Sequence, residues 1–314
     1  MEKKRIVIIT GANSGIGKAA ATLFASNGFT VIMACRNLEK SEKVQKKICS
    51  ETNNPNVKLM ELDMSSFTSI QAFSKEFQAC YSHLDILIHN AAYFNHGEKY
   101  RLSPDNVELT FATNVIGPYL LTDLLLGHLK NADDPRILHA SSNIVKQFFD
   151  PMWKINFDQI IGEIDNTKGF SVYKMYAHSK MALVMLTFRL AEEWKGEGIK
   201  VNALQINGAK MSKETLQKVT TGWRAIARIQ NLFFPPPEKM ASIYYDMCTS
   251  EEFRNISGKL INDKKEVMNP GHLKPNAVMQ VKQLTGNAYY PPYADQKENQ
   301  EQVWYLCQRA LKEL

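Results

Sequence analysis

Residues 10–17 read TGANSGIG, set between a short β-branched run, RIVII at 5–9, and GKAAATLFASNG at 17–28. A β-branched run bounded by glycine has the pattern of a buried strand, and the alanine-rich stretch behind it that of a helix closing at Gly28. The quoted residues therefore form a strand-to-helix turn. Gly11, Gly15 and Gly17 leave room for backbone to approach a diphosphate, while the helix's free N–H groups and positive dipole end face the negative charge. Glycines also serve ordinary tight turns, so the nucleotide cradle needs support from the rest of the chain.

The same strand-then-helix pattern recurs along the chain. FTVIMA (29–34), VKLMELD (57–63) and LDILIHNAA (84–92) read as strands, with LEKSEKVQKKICSE (38–51) and SIQAFSKEFQACY (69–81) as the helices between them. Further on, the pattern predicts a long helix over 106–129, a strand at PRILHAS (135–141), a helix from about Tyr173 to Trp194, a strand at IKVNALQI (199–206) and a last strand at GKLIN (258–262). Strands too apolar to show a polar face, separated by helices, predict an α/β protein: a doubly wound parallel sheet of about seven strands flanked by helices. The expectation is a single-domain Rossmann fold over residues 1–262, with a C-terminal extension at 263–314 packed on the same domain. Ligands in such sheets sit outside the C-terminal strand ends.

Composition narrows the function classes. The 314 residues are 44% hydrophobic, enough for one large core, and no Pro/Gly/Ser-rich linker divides them. A net charge of +6 carried by interleaved charges argues against nucleic-acid binding and for a solvated basic surface that favours an anionic ligand. Five scattered cysteines without a C-x-x-C pair suggest free thiols in a reducing compartment. The seven histidines show no metal-ligand spacing, so no metal is expected, and His89, His139 and His178 read as structural hydrogen-bonding residues. The first strand begins at about Arg5, leaving no space for a signal peptide, and no apolar run approaches the roughly 18 residues that span a bilayer. A cytoplasmic protein without a transmembrane segment is expected.

Further motifs fall in one order and spacing: TGANSGIG, LDM (62–64), HNAA (89–92), Asn114, the serine pair 141–142 and YAHSK (176–180). Together they resemble the short-chain dehydrogenase/reductases, over at least residues 5–212. ACRN (34–37) and the C-terminal QVWYLCQRALKEL look most like that family's retinol-dehydrogenase-like branch, which handles lipophilic alcohols and carbonyls. The resemblance implies hydride transfer with a nicotinamide cofactor, no metal, and an Asn114/Ser142/Tyr176/Lys180 tetrad.

Residue chemistry supports these roles. Tyr176 and Lys180 are four apart in a helical pattern, so they share a face, and an ammonium beside a phenol is expected to lower the tyrosine pKa. Tyr173 has Ala177 four residues on and lacks that partner. Ser142 ends its strand, where its hydroxyl can donate to a substrate carbonyl; the family's serine matches the second of the pair, hence Ser142 rather than Ser141. The resemblance gives Asn114 a water in the proton relay and Lys180 the nicotinamide ribose. It also implies nucleotide contacts at Gly11, Asn13, Ser14, Gly15, Ile16, Gly17, Asp63, Met64, Asn90, Ala91, Gly208 and Ser212, with Asp63 on the adenine and Asn90 as a strand-end brace.

The end of the second strand bears on which nicotinamide is used. An acidic residue about 20 positions past the glycine motif holds the ribose 2′-hydroxyl of NAD, whereas a 2′-phosphate calls for arginine. Here the residues are Cys35 and Arg36, and Lys18 adds a second cation, so NADP(H) is predicted.

The chain also departs from the family's pattern. Tyr93 replaces its usual glycine after NAA, Asn207-Gly208 its Pro-Gly, and Ser212 its threonine. The 33 residues between Ser142 and Tyr176 hold Phe148, Phe149, Met152, Trp153 and Phe157, which either line an apolar substrate pocket or pack the insertion (143–172) onto the body. Residues 209–240 lie where the family keeps its substrate lid. An apolar small-molecule substrate follows, with a non-catalytic NADP-binding protein as the rival reading. The family's usual pairing through residues 104–130 and 172–195 makes a homodimer possible.

Overall fold

Aliphatic runs with no polar face form the centre of a seven-stranded parallel sheet in the computed structural model, which describes residues 4–94, 99–157, 160–161, 170–210, 231 and 234–312. The strands are β1 (Ile6–Thr10), β2 (Thr30–Cys35), β3 (Val57–Glu61), β4 (Ile86–His89), β5 (Arg136–Ser142), β6 (Lys200–Ile206) and β7 (Lys259–Ile261), in the order β3-β2-β1-β4-β5-β6-β7. Every residue of β1, β2 and β4 is buried, as a sheet covered on both faces requires. The order reverses between β1 and β4, and the crevice there opens beside the glycine turn.

Helices cover the two faces. On one side lie α1 (Gly15–Ser26), which joins β1 to β2, and α2 (Leu38–Thr52), which joins β2 to β3. The opposite face carries α3 (Phe67–Cys80), α4 (Gly117–Leu124), α5 (Leu126–Lys130) and α6 (Val172–Glu193). Returning to the first face, α7 (Pro237–Thr249) packs on α1. The C-terminal segment holds α8 (Ala277–Thr285) and α9 (Lys297–Lys312), with a two-residue ladder between β8 (Asn269–Pro270) and β9 (Tyr289–Tyr290). Val303, Cys307 and Ala310 of α9 are buried within the same apolar cluster as α4 and α6. No helix among the described residues is long and apolar enough to cross a membrane.

One predicted helix is broken. In place of a continuous helix over 106–129, the chain forms a three-residue turn at Leu109–Phe111, a π-helical turn at Ala112–Ile116, then α4 and α5. Gly117 donates its N–H five residues back, to the Ala112 carbonyl. Pro118 has no N–H to close onto Asn114, so the α-helical ladder cannot run through this point. A Cβ on Gly117 would lie 2.3 Å from the Met64 carbonyl oxygen, which ties this irregular turn to the end of β3.

Candidate active site

Beside the switch point, a cleft of about 850 Å³ opens at the C-terminal ends of the central strands. Its walls include Ile16 behind the glycine turn, Asn90 after β4, Ser142 ending β5, Tyr176 and Lys180 on α6, and Gly208 after β6. Residues far apart in the sequence meet here because each follows a parallel strand or faces the sheet edge.

The turn has the geometry a diphosphate needs. Gly11 and Gly15 adopt φ of +67° and +53°, which side chains disfavour, and a Cβ on Gly17 would lie 2.5 Å from both the Gly11 carbonyl oxygen and Asn90 Nδ2. At the head of α1, Ser14 makes no side-chain capping bond and no acidic residue occupies the first turn. The helix's positive end is therefore free to receive an anion. Thr10 and Asn90 brace the turn: Asn90 Nδ2 donates to the Thr10 carbonyl (2.9 Å), and the Asn90 and Ala91 N–H groups donate to Thr10 Oγ1 (3.0 and 2.9 Å). The Tyr244 hydroxyl donates to Asn90 Oδ1 (3.2 Å), so α7 takes part in the brace, a partner no local sequence signal marks. Asn13 Nδ2 donates to Ser41 Oγ on α2 (2.9 Å), which ties the turn to that helix.

Ser142 and Tyr176 line the cleft together, and Ser142 Oγ accepts the Ile144 N–H (3.3 Å). The Tyr176 ring stacks on Phe94, centroids 4.4 Å apart. Lys180, buried, donates from Nζ to the Ala140 carbonyl (2.7 Å) and stands 5.7 Å from the centre of the Tyr176 ring. Ser141 Oγ, on the same cleft wall, is buried without a hydrogen-bond partner. Burial acts against charge on both Tyr176 and Lys180: the Tyr176 phenol is pushed up to about 12, with the Ser142 hydroxyl pulling down, and the Lys180 ammonium is pushed down to about 7. Lys180, itself held toward neutrality by burial, contributes no lowering of Tyr176 to set against this desolvation. In the protein alone Tyr176 is a protonated donor.

Asn114 is buried behind the cleft. Its Oδ1 accepts the Tyr93 N–H (2.7 Å), and its Nδ2 donates to the Tyr93 carbonyl (3.1 Å) and Ser179 Oγ (3.0 Å). Both amide N–H groups are used, so a water-holding role would fall to the Asn114 carbonyl, whose α-helical donor Pro118 lacks. Tyr93 is not among the residues at positive φ, which explains how a bulky side chain stands where the family keeps glycine.

Arg36, largely exposed at the end of β2, approaches Asp63 Oδ2 at 4.0 Å; Asp63 Oδ1 accepts from the Ser65 N–H and hydroxyl. Met64 is buried with its carbonyl against Gly117. Gly208 sits at φ +143° under the Phe234 ring. Ser212 and most of the 209–240 lid lie outside the described residues.

The aromatic insertion is packing. Phe148 and Phe149 are buried: Phe148 meets Trp153, His178 and Tyr293 at 5.9, 5.8 and 5.0 Å between ring centres, and Phe149 lies against Gly271. Trp153 and Phe157 pack partly buried on the same cluster, and Met152 is 86% exposed. None of the five lines the cleft. Its apolar lining comes instead from Ile16, Phe94, Ile144, Ile206, Phe234 and Leu284. Phe148 of the insertion meets a C-terminal partner, Tyr293, that no local pattern could announce.

A parallel sheet with a glycine cradle at its switch point, and a Ser-Tyr-Lys cluster at the neighbouring strand ends, defines a dinucleotide-dependent class of protein, and comparison with known proteins narrows it. Residues 5–152 match the family described as short chain dehydrogenase. Retinol dehydrogenase 13 of Mus musculus is 32% identical over 83% of this chain and 76% of its own length; retinol dehydrogenase 11 of Homo sapiens is 33% identical over 82% and 77%. Among solved structures, a short chain dehydrogenase from Salmonella enterica serovar Typhi superposes with a TM-score of 0.63 at 24% identity, over 83% of this chain and 96% of that one. The chain belongs to the short chain dehydrogenase family of oxidoreductases, in its retinol-dehydrogenase-like branch.

Proposed function

We propose that this protein is an NADP(H)-dependent oxidoreductase interconverting a lipophilic alcohol with its aldehyde or ketone. The observation that carries the reading is the Ser142–Tyr176–Lys180 cluster, held in one cleft with the glycine cradle. A nicotinamide held there supplies or takes up the hydride. Tyr176, kept protonated by burial, gives its phenolic proton to a developing alkoxide, and in the reverse direction takes one back. Ser142 donates its hydroxyl to the same oxygen. Lys180, 5.7 Å from the centre of the phenol ring, would hold the nicotinamide ribose, and Asn114 braces the Tyr93 strand end against α6.

The nucleotide is held by Gly11, Ser14, Gly15, Ile16 and Gly17, with Asp63, Met64 and Gly208 at its flanks. Arg36 favours the 2′-phosphate, because no carboxylate follows Cys35 and the guanidinium is exposed to meet it. An apolar substrate suits the aliphatic and aromatic cleft walls and the retinol dehydrogenases among the relatives. Five free cysteines accord with a cytosolic setting. The helix pair expected to form a dimer carries α9 on its surface, so a homodimer formed there would include α9.

The test is loss of nicotinamide absorbance with NADPH and NADH in parallel, against long-chain and aromatic aldehydes and ketones. Turnover preferring NADPH is expected, with Tyr176→Phe lowering kcat by about 10³-fold, the scale of a lost general acid. Tight NADPH binding without turnover of any carbonyl in the panel would instead support the non-catalytic reading.

A further inference from the structure

The cleft does not stay apolar along its whole length. Past Ser142 the chain forms a 3₁₀ turn at Asn143–Phe149, and Lys146 and Gln147 of that turn line the cleft together with Tyr173. Lys146 stands four residues beyond Ser142, and at about 2 Å of rise per residue this puts it roughly 8 Å along the turn from the Ser142 backbone. Ile144 lies between the two on the cleft wall, and Leu284 of α8 adds a second apolar contact. A ligand reaching from Ser142 to Lys146 therefore passes over hydrocarbon and meets an ammonium.

That ammonium is held in place without a counter-charge. Half-buried Lys146 donates from Nζ to the Gly286 carbonyl (2.7 Å) and to Asn287 Oδ1 (3.0 Å), both neutral acceptors. A lysine has three donors, so one N–H remains. Among the described residues no carboxylate lies within ion-pair distance of it. Asp263 acts on it from behind Asn287, whose Nδ2 donates to Asp263 Oδ1 (3.1 Å). Burial pushes the ammonium down, with Asp263 pulling up. An anion in the cleft would complete the pairing that the protein leaves open. The two fixed acceptors also hold the side chain in one geometry, so little rotamer freedom is lost when a ligand arrives. Tyr173 adds a second donor: its oxygen accepts from Gln147 Nε2 (3.1 Å), which leaves the phenolic O–H to give. Asp150, on the same wall, is exposed, and its Oδ1 accepts the Met152 N–H (2.9 Å), so water screens its charge.

We infer that Lys146 and Tyr173 form an anion subsite, and that the substrate is amphipathic, with the reacting carbonyl at Ser142 and Tyr176, an apolar chain, and a carboxylate at its other end. The inference rests on the reaction proposed above, and two measurements keep the failures of the two apart. In calorimetric titrations of the full chain, hexanol, octanol and decanol are compared with their ω-carboxy counterparts. The acid is expected to bind about tenfold tighter than the alcohol at the chain length that spans the cleft, the scale of one charge-assisted hydrogen bond. Lys146→Met should abolish that preference and Lys146→Arg keep it, while Tyr173→Phe should reduce it about threefold, the scale of a neutral hydrogen bond. Lys146 also ties residues 286–287 to the body, so the wild-type comparison and Tyr173→Phe decide the matter should Lys146→Met fail to fold. Turnover of the matching aldehydes with NADPH reads the reaction itself, and the carboxylated aldehydes should have the lower KM. An acid preference without turnover of any aldehyde removes the oxidoreductase reading and leaves the subsite standing. An acid that binds no tighter than its alcohol at every length, or a preference left unaltered by Lys146→Met or by Tyr173→Phe, overturns the proposal.

Discussion

The nucleotide half of the molecule, residues 5–94, and the C-terminal segment, residues 263–312, are built by different kinds of rule. In the first half each strand and helix follows from local pattern, and the glycines stand where backbone conformation or close contact demands them. In the C-terminal segment position is set by partners elsewhere: Trp304 against Tyr119 (5.3 Å) and under Arg189, Arg189 paired with Glu301, and Lys297 bonded to Glu192. The first half is specified residue by residue, the second by the surface it lands on.

Acid should expose this difference most strongly. His139, bonded to Thr187 on α6, is pushed down to about 3 by burial, and His178, packed against Phe148 and Trp153, to about 4. Both fold as neutral rings, whereas the unfolded chain takes up protons near pH 6.5. Their stabilising effect is therefore full above that pH and is lost as pH falls toward 4. The expected loss between pH 7 and 5 is on the order of 4 kcal/mol by linkage, read from denaturant melts across that range. His139 bonds to α6 and His178 lies on it, and α9 packs on that helix, so protection of α9 amides from hydrogen exchange should fall before that of α1. The reverse order would break the contrast.

A pair of single substitutions sharpens it. Trp304→Ala removes a large ring from the α9 contact and should cost about 3 kcal/mol in denaturant stability, with little change in nucleotide affinity. Gly17→Ala should do the opposite in kind. Its Cβ meets a backbone oxygen and the Asn90 amide, distorting the cradle at a cost of about 1–3 kcal/mol, but the larger effect should be on nucleotide binding measured by fluorescence titration. Equal losses of affinity in the two variants would show the halves to be coupled.

The smallest expected change is at the surface. Arg36→Asp should shift the NADPH-to-NADH preference in KM by about tenfold or more toward NADH, the scale of one charge-assisted contact, and leave melting unchanged. An unaltered preference would remove Arg36 from the nucleotide reading.

Most of the fold and much of the site were legible in the chain. Gly11 and Gly15 declare themselves by conformation, and the four-residue step from Tyr176 to Lys180 fixes a shared helical face. Other features were not. Neither Phe94 stacking on Tyr176 nor Ser179 holding Asn114 has a local pattern. Gly117, an isolated glycine followed by proline inside a helical run, was the one visible sign of the π turn. The aromatics of 148–157 were equally compatible with a pocket or a core, because an apolar side chain seeks any apolar partner.

The sequence by itself determined the parallel sheet, the glycine cradle and the residue types that meet at the strand ends, since backbone conformation and hydrophobic period act over a few neighbours. Only the tertiary structure decided that burial, and not Lys180, sets the protonation of Tyr176, that Phe148 packs on Tyr293 rather than lining the cleft, and that α8 turns its aliphatic side outward at the cleft mouth. Desolvation and packing depend on what surrounds a group in three dimensions, and those neighbours come from the whole length of the chain.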